Sequence, residues 1–156
     1  MHEGRIPLDA MAGGFDMQAT VESGQTYLWD RADGRMFEDD RAWGSEAWYH
    51  TALPATFTPS GEPEVVRARQ VDGALEWEAS TPNAPELLTH LLRLDDDLDA
   101  IVDSSPDLPL LDRAFEAYRG MRLVRDPAFP CLISFICSAQ MRVARIHGMQ
   151  RRLARE

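Results

Sequence analysis

The stretch DPAFPCLISFICSAQMRVARIHGMQRRLARE, residues 126–156, is where the reading of this chain turns. Its prolines, Pro127 and Pro130, set a helix start, and CLISFIC (131–137) is apolar on every side. A helix apolar all round is expected to be wholly buried. SAQ (138–140) then interrupts the run. From Val143 onward, Val143, Ile146, Met149 and Leu153 recur at helical spacing, with Arg145, Arg151, Arg152 and Arg155 largely off that face. That spacing predicts an amphipathic helix, although periodicity alone also admits one long helix across the break. Cys131 and Cys137 have no CxxC or Cys/His spacing around them, so both read as packed free thiols.

Charge separates this end from the remainder. The chain of 156 residues carries 26 acidic and 16 basic side chains for a net charge of −10, and every basic residue is arginine. Residues 1–111 hold 22 acids against seven arginines, whereas residues 112–156 hold four acids against nine. The average opposes a polyanion partner and the C-terminal third favours one. An acidic surface without lysine suits a cytoplasm of very high salt, where a Debye length of ~3 Å at 1 M screens self-repulsion. A GC-rich genome favouring arginine codons is the alternative. No apolar run approaches the ~20 residues that span a bilayer, and the start MHEGRIPLDAMAGG lacks a leader pattern, so a soluble, cytoplasmic, prokaryotic protein with no membrane partner is expected.

Working back toward the N-terminus, Phe15 to about Ser80 reads as short strands and turns. FDMQATVES (15–23) alternates, TYLWD (26–30) follows the turn SGQ, and RADGR (31–35) supplies another glycine turn. AWYHTAL (47–53), EVVRARQV (64–71) and ALEWEAS (74–80) complete the set, with VDGA joining the last two as a hairpin. Trp29, Trp43, Trp48 and Trp77 lie in or beside these strands and read as core or sheet-face packing. After STPNAPE the period changes to three short helices, in APELLTHLLRL, DDDLDAIVDSS and DLPLLDRAFEAYRG, with prolines near starts and Gly120 at an end. Asp95, Asp97 and Asp99 begin like a calcium loop. Ala100 and Pro106 stand where that loop needs a glycine and a bidentate glutamate, so helix capping is the better reading and no metal site is expected.

Two of these segments, in order and far apart, carry a resemblance. DPAFPCLISFICSAQMRVARIHGM resembles the start of the helical domain of 8-oxoguanine DNA glycosylases, through SFICS followed four residues later by VARI.GM. ESGQTYLWD (22–30) is similar to the same family's SGQ-aromatic-x-W turn. The resemblance implies an α+β fold: a twisted antiparallel sheet with helices, of the TBP-like kind, over residues 1–112, then the first helices of an incomplete all-α helix-hairpin-helix domain over 113–156.

The resemblance also implies roles. Gly24 would offer its main-chain carbonyl to the N7 hydrogen that 8-oxoguanine has and guanine lacks; without the family it is a turn glycine. Gln140 stands where the family usually carries Asn, and would read the cytosine left unpaired when the lesion flips out. Arg145 would hydrogen-bond the same cytosine. Met141 and Arg142 replace further asparagines common in the family. The nucleophilic lysine and its helper aspartate have no counterpart: the sequence contains no lysine, and no catalytic residue is assigned in this chain.

The implied partner is double-stranded DNA containing oxidised guanine, with no cofactor, and with a missing C-terminal catalytic domain or partner chain to supply the lyase chemistry. Two other readings stand beside this one. The first is a non-catalytic module that binds DNA or docks a partner; the second is an acidic α+β domain unrelated to DNA.

Overall fold

Asp72 and Gly73 close a two-residue turn between two antiparallel strands of the sheet. The computed structural model describes residues 1–38 and 43–155. Among these the chain runs β1 (His2–Pro7), α1 (Met17–Val21), β2 (Asp30–Arg31), β3 (Tyr49–Leu53), β4 (Glu64–Val71) and β5 (Ala74–Ala79). There follow α2 (Ala84–Leu92), α3 (Leu98–Asp103), α4 (Pro109–Ala117), α5 (Ala128–Cys137) and α6 (Val143–Leu153). The architecture is α+β, with one antiparallel sheet in the order β1-β5-β4-β3-β2.

The alternation of EVVRARQV dictates the faces of the sheet. Val66, Ala68 and Gln70 turn inward with Tyr49, Thr51, Leu53, Leu75, Trp77 and Ala79. Arg67 and Arg69 turn outward, where Arg67 pairs across the hairpin with Glu78 and Arg69 with Glu76, and each guanidinium carbon lies 4.8 Å from the Trp48 ring centroid. The inner face is covered by α1 and by Ala84, Leu87, Leu88, Leu91 and Leu92 of α2.

Five expectations need correction. FDMQATVES is not a strand: Asp16 caps a short helix by accepting from the Ala19 amide at 2.9 Å, and all five residues of α1 are buried. A single turn buried on every side has no polar face, so five residues cannot display a 3.6 period. The Gln70 side chain completes the fit, accepting from the Met17 amide at 2.8 Å and donating to the Phe15 carbonyl at 2.9 Å. TYLWD contributes only one strand residue, Asp30, to the two-residue β2, and β1 at the chain start went unread.

The helix at CLISFIC is not wholly buried either. Phe129, Leu132, Phe135 and Ile136 of α5 are exposed, Phe135 at 79%. Cys131 is exposed rather than packed, and Cys137 is half-buried. Trp43 is exposed as well, unlike the buried Trp29 and Trp77. The break at SAQ is present, so α5 and α6 are separate helices, tied by Gln150 Nε2 donating to Ser134 Oγ at 2.9 Å.

Candidate functional site

The SGQ turn is built around a residue that glycine suits best. Gly24 has φ +87°, in the left-handed region that L side chains rarely adopt. A β-carbon there would also lie 3.0 Å from Val143 Cγ2 and 3.5 Å from Val143 Cγ1. Ser23 fixes the entry to the turn by donating to the Thr20 carbonyl at 3.1 Å. Gln25 fixes the exit. Its Nε2 donates to the carbonyls of Thr20 (3.0 Å) and Arg122 (2.7 Å), and its Oε1 accepts from the Val124 amide at 3.0 Å. The side chain thus stands in for a neighbouring strand, satisfying backbone groups of an extended segment that would otherwise be orphaned.

That segment carries a side chain whose every donor is used. Arg122 is 1% exposed, and its five N–H groups reach the carbonyls of Ala12, Gly14, Arg93 and Asp96, at 2.8–3.1 Å. The Arg122 amide donates to Thr20 Oγ1 at 3.1 Å. Burial pushes the guanidinium below its ordinary pKa, while the charges of Asp96 and Asp95 act in the opposite sense. The segment between α4 and α5 is therefore laced to the loop before α1 and to the end of α2. Next along, burial lifts the Asp126 carboxyl to a pKa of about 6, against a lowering hydrogen bond with Thr26.

Helix α6 lies against the residues that follow Gly24. His147, itself buried, places Nε2 3.2 Å from the Trp29 carbonyl and 3.0 Å from Asp30 Oδ1. Arg151 Nε lies 3.4 Å from the same carboxylate oxygen. The Phe37 and His147 rings meet edge to face, with centroids 5.4 Å apart. Behind Phe37, Glu22 accepts from the Phe37 amide at 2.9 Å and from the Tyr49 hydroxyl at 2.6 Å, with Arg31 Nη1 3.5 Å away. Burial and the adjoining Glu22 together push the Tyr49 phenol well above its usual range. A pocket of about 320 Å³ opens here, lined among others by Glu22, Ser23, Phe37, Tyr118 and Val143.

The turn from α5 to α6 projects from this contact. Gln140 is exposed, with φ +56°, and Met141 donates its amide to the Ser138 carbonyl at 3.2 Å. A left-handed φ is easier for Asn than for Gln, because a short amide can bond its own backbone there. Arg145 is exposed in the first turn of α6, as is Arg142 at its N-cap. Arg142, Arg145, Arg152 and Arg155 form no ion pair among the described residues, so an unneutralised basic edge runs along this helix.

Gly24 therefore rests on Val143, which lies between Gln140 and Arg145 in the chain. Segments 22–30 and 140–151, more than 100 residues apart, form one surface. His147, Asp30, Gln25 and Arg122 went unassigned from sequence. His147 and Asp30 sit inside the quoted stretches, but a lone His or Asp carries no pattern that reveals its partner.

No protein-family model matches the sequence, and no curated protein matches it. Solved structures do. MBOgg1 in complex with a low-affinity DNA ligand superposes with a TM-score of 0.67 and 21% identity over 93% of this chain and 43% of that one. The Clostridium acetobutylicum 8-oxoguanine glycosylase/lyase in its apo form superposes at 0.63 with 19% identity, over 85% of this chain and 40% of that one. The same enzyme with double-stranded DNA containing cytosine opposite 8-oxoguanine gives 0.63 and 19%, over 85% and 39%. The fold is thus one found in 8-oxoguanine glycosylases, and the chain spans well under half the length of those it matches.

Proposed function

We infer that this chain is the N-terminal part of an 8-oxoguanine DNA glycosylase architecture, contributing damaged-DNA binding and lesion recognition to base excision repair. One observation carries the reading: the SGQ turn and the α5–α6 turn, each suggestive alone, are packed together at Gly24 and Val143. In this reading a flipped base read at Gly24 and an unpaired cytosine read by Gln140 and Arg145 are engaged side by side, and the packing of Gly24 on Val143 supports it. In this reading residues 1–112 form the sheet domain, and residues 113–156 open the helical one.

In this reading the main-chain carbonyl of Gly24 is the acceptor offered to the base edge. Its proposed preference is for a purine whose N7 carries hydrogen, since unmodified guanine presents a lone pair that a carbonyl repels. Gln140 offers a donor and an acceptor to one base edge, Arg145 a second donor, and the basic edge of α6 follows phosphates. The acidic remainder of the molecule, without lysine, suits a high-salt cytoplasm.

Schiff-base chemistry at the sugar would require a lysine that these 156 residues do not contain. The exposed apolar face of α5 favours a second reading, a non-catalytic module that binds DNA or docks a partner chain. Affinity for 8-oxoguanine·cytosine and guanine·cytosine duplexes, titrated against salt, tests the main reading. It expects tighter binding to the lesion at every salt concentration, with both affinities falling as salt rises. Equal affinities would remove lesion recognition and leave the module.

A further inference from the structure

We propose that Val143 is a positioning residue that couples recognition of the flipped base to recognition of the base opposite it. The inference rests on the roles proposed above for Gly24, Gln140 and Arg145. Val143 touches no base in that scheme; it acts through its neighbours.

The geometry leaves little slack between the two readers. A β-carbon on Gly24 would crowd Val143 Cγ2 at 3.0 Å and touch Cγ1 at 3.5 Å. Val143 is also the first residue of α6, three after Gln140 and two before Arg145. The far part of the first turns is pinned independently, by His147 on the Trp29 carbonyl and Asp30 and by the burial of Ile146. On the other side the Gly24 turn is held by Ser23 and by the three hydrogen bonds of Gln25. Each body is braced, and the place where they bear on each other beside both readers is a valine against a glycine. A shift of the Gln140 turn on engaging the opposite base therefore presses on, or withdraws from, the Gly24 carbonyl. Packed contacts of this kind transmit displacement because interiors compress little.

The test uses the full 156-residue chain, with Val143→Ala to open the contact and Val143→Thr to keep the branched shape. The first readout is amide hydrogen exchange in the free protein. Val143→Ala is expected to speed exchange at the Val124 amide, which donates to Gln25 Oε1, while Val143→Thr leaves it as in the wild type; unchanged exchange in Val143→Ala overturns the proposal. The second is the affinity ratio between 8-oxoguanine·cytosine and 8-oxoguanine·adenine duplexes, compared with the ratio between lesion and unmodified guanine. Val143→Ala is expected to lower both ratios by about 3- to 30-fold, the usual span for a coupling position, and Val143→Thr to recover them. A loss of one ratio alone, or a loss that threonine does not recover, overturns the coupling. Should the wild type show no lesion preference, the functional reading fails, and the exchange result alone decides whether the mechanical contact exists.

Discussion

His147 sits 3.0 Å from Asp30 and 3.2 Å from the Trp29 carbonyl, joining α6 to the strand that leaves the SGQ turn. One ring nitrogen serves two oxygens, and the ring edge meets Phe37. The contact spans 117 residues of sequence between His147 and Asp30, and it decides where α6 and the turn before it can sit.

His147→Ala is expected to cost about 1–3 kcal/mol, the usual penalty for leaving buried polar groups unpaired. Urea unfolding measures it. Asp30→Asn should cost less, because the Trp29 carbonyl still holds the ring in place.

Arg122 makes a harsher case. Its guanidinium satisfies carbonyls from two separate segments, 12–14 and 93–96, so Arg122→Met is expected to destabilise by about 3–5 kcal/mol, as for other broken buried charge networks. Arg122→Lys should recover only part, since a single ammonium has three donors and no planar fork. Equal stability of wild type and Arg122→Met in urea would contradict this.

Asp126 predicts a pH dependence. Burial raises its folded pKa to about 6 from 3.8, and Oδ1 is buried without a hydrogen-bond partner among the described residues. The folded state therefore holds the proton more tightly than the unfolded one. Its stabilising contribution is full below pH about 3.8 and is lost as pH rises through about 6. Asp126→Asn should be more stable than wild type at pH 7 by on the order of 2 kcal/mol, with the difference vanishing near pH 4. Thermal or urea unfolding of both proteins across that range checks the sign.

Phe135 tests the exposure of α5. A buried phenylalanine truncated to a small side chain costs about 3–5 kcal/mol, whereas a change at an open surface stays within about 0.5 kcal/mol. At 79% exposure, Phe135→Ser should fall in the second class, measured by the urea midpoint.

How far the sequence disclosed all this depended on what each local pattern records. β4 was legible residue for residue and β5 to within one residue, because a strict alternation meets an Asp-Gly turn and each strand has one dry face. Helices α2 to α4 were legible from their prolines and periods. β1 was not, because HEGRIP has a glycine opposite Trp77 and too few apolar residues to alternate. The apolar run of α5 reports what a helix would prefer to have covered. It says nothing of what covers it, so Phe135 was misplaced while the helix itself was found.

The candidate site divides in the same way. Gly24, Gln140 and Arg145 came from likeness to a family, and the turn geometry at Gly24 and Gln140 is a property of backbone that local sequence can suggest. The clasp of Gln25 on residues 122–124 and the seat of His147 on Trp29 are products of tertiary packing between distant segments. A single sequence holds no periodic trace of either.

The most direct test of the account is the carbonyl carbon shift of Gly24 in glycine-labelled protein, recorded with duplexes carrying 8-oxoguanine or guanine opposite cytosine. The account predicts a displacement of that resonance with the lesion duplex that the guanine duplex does not produce, as expected for a carbonyl accepting the extra N7 hydrogen. Identical Gly24 shifts with both duplexes, under conditions where both are bound, would contradict it.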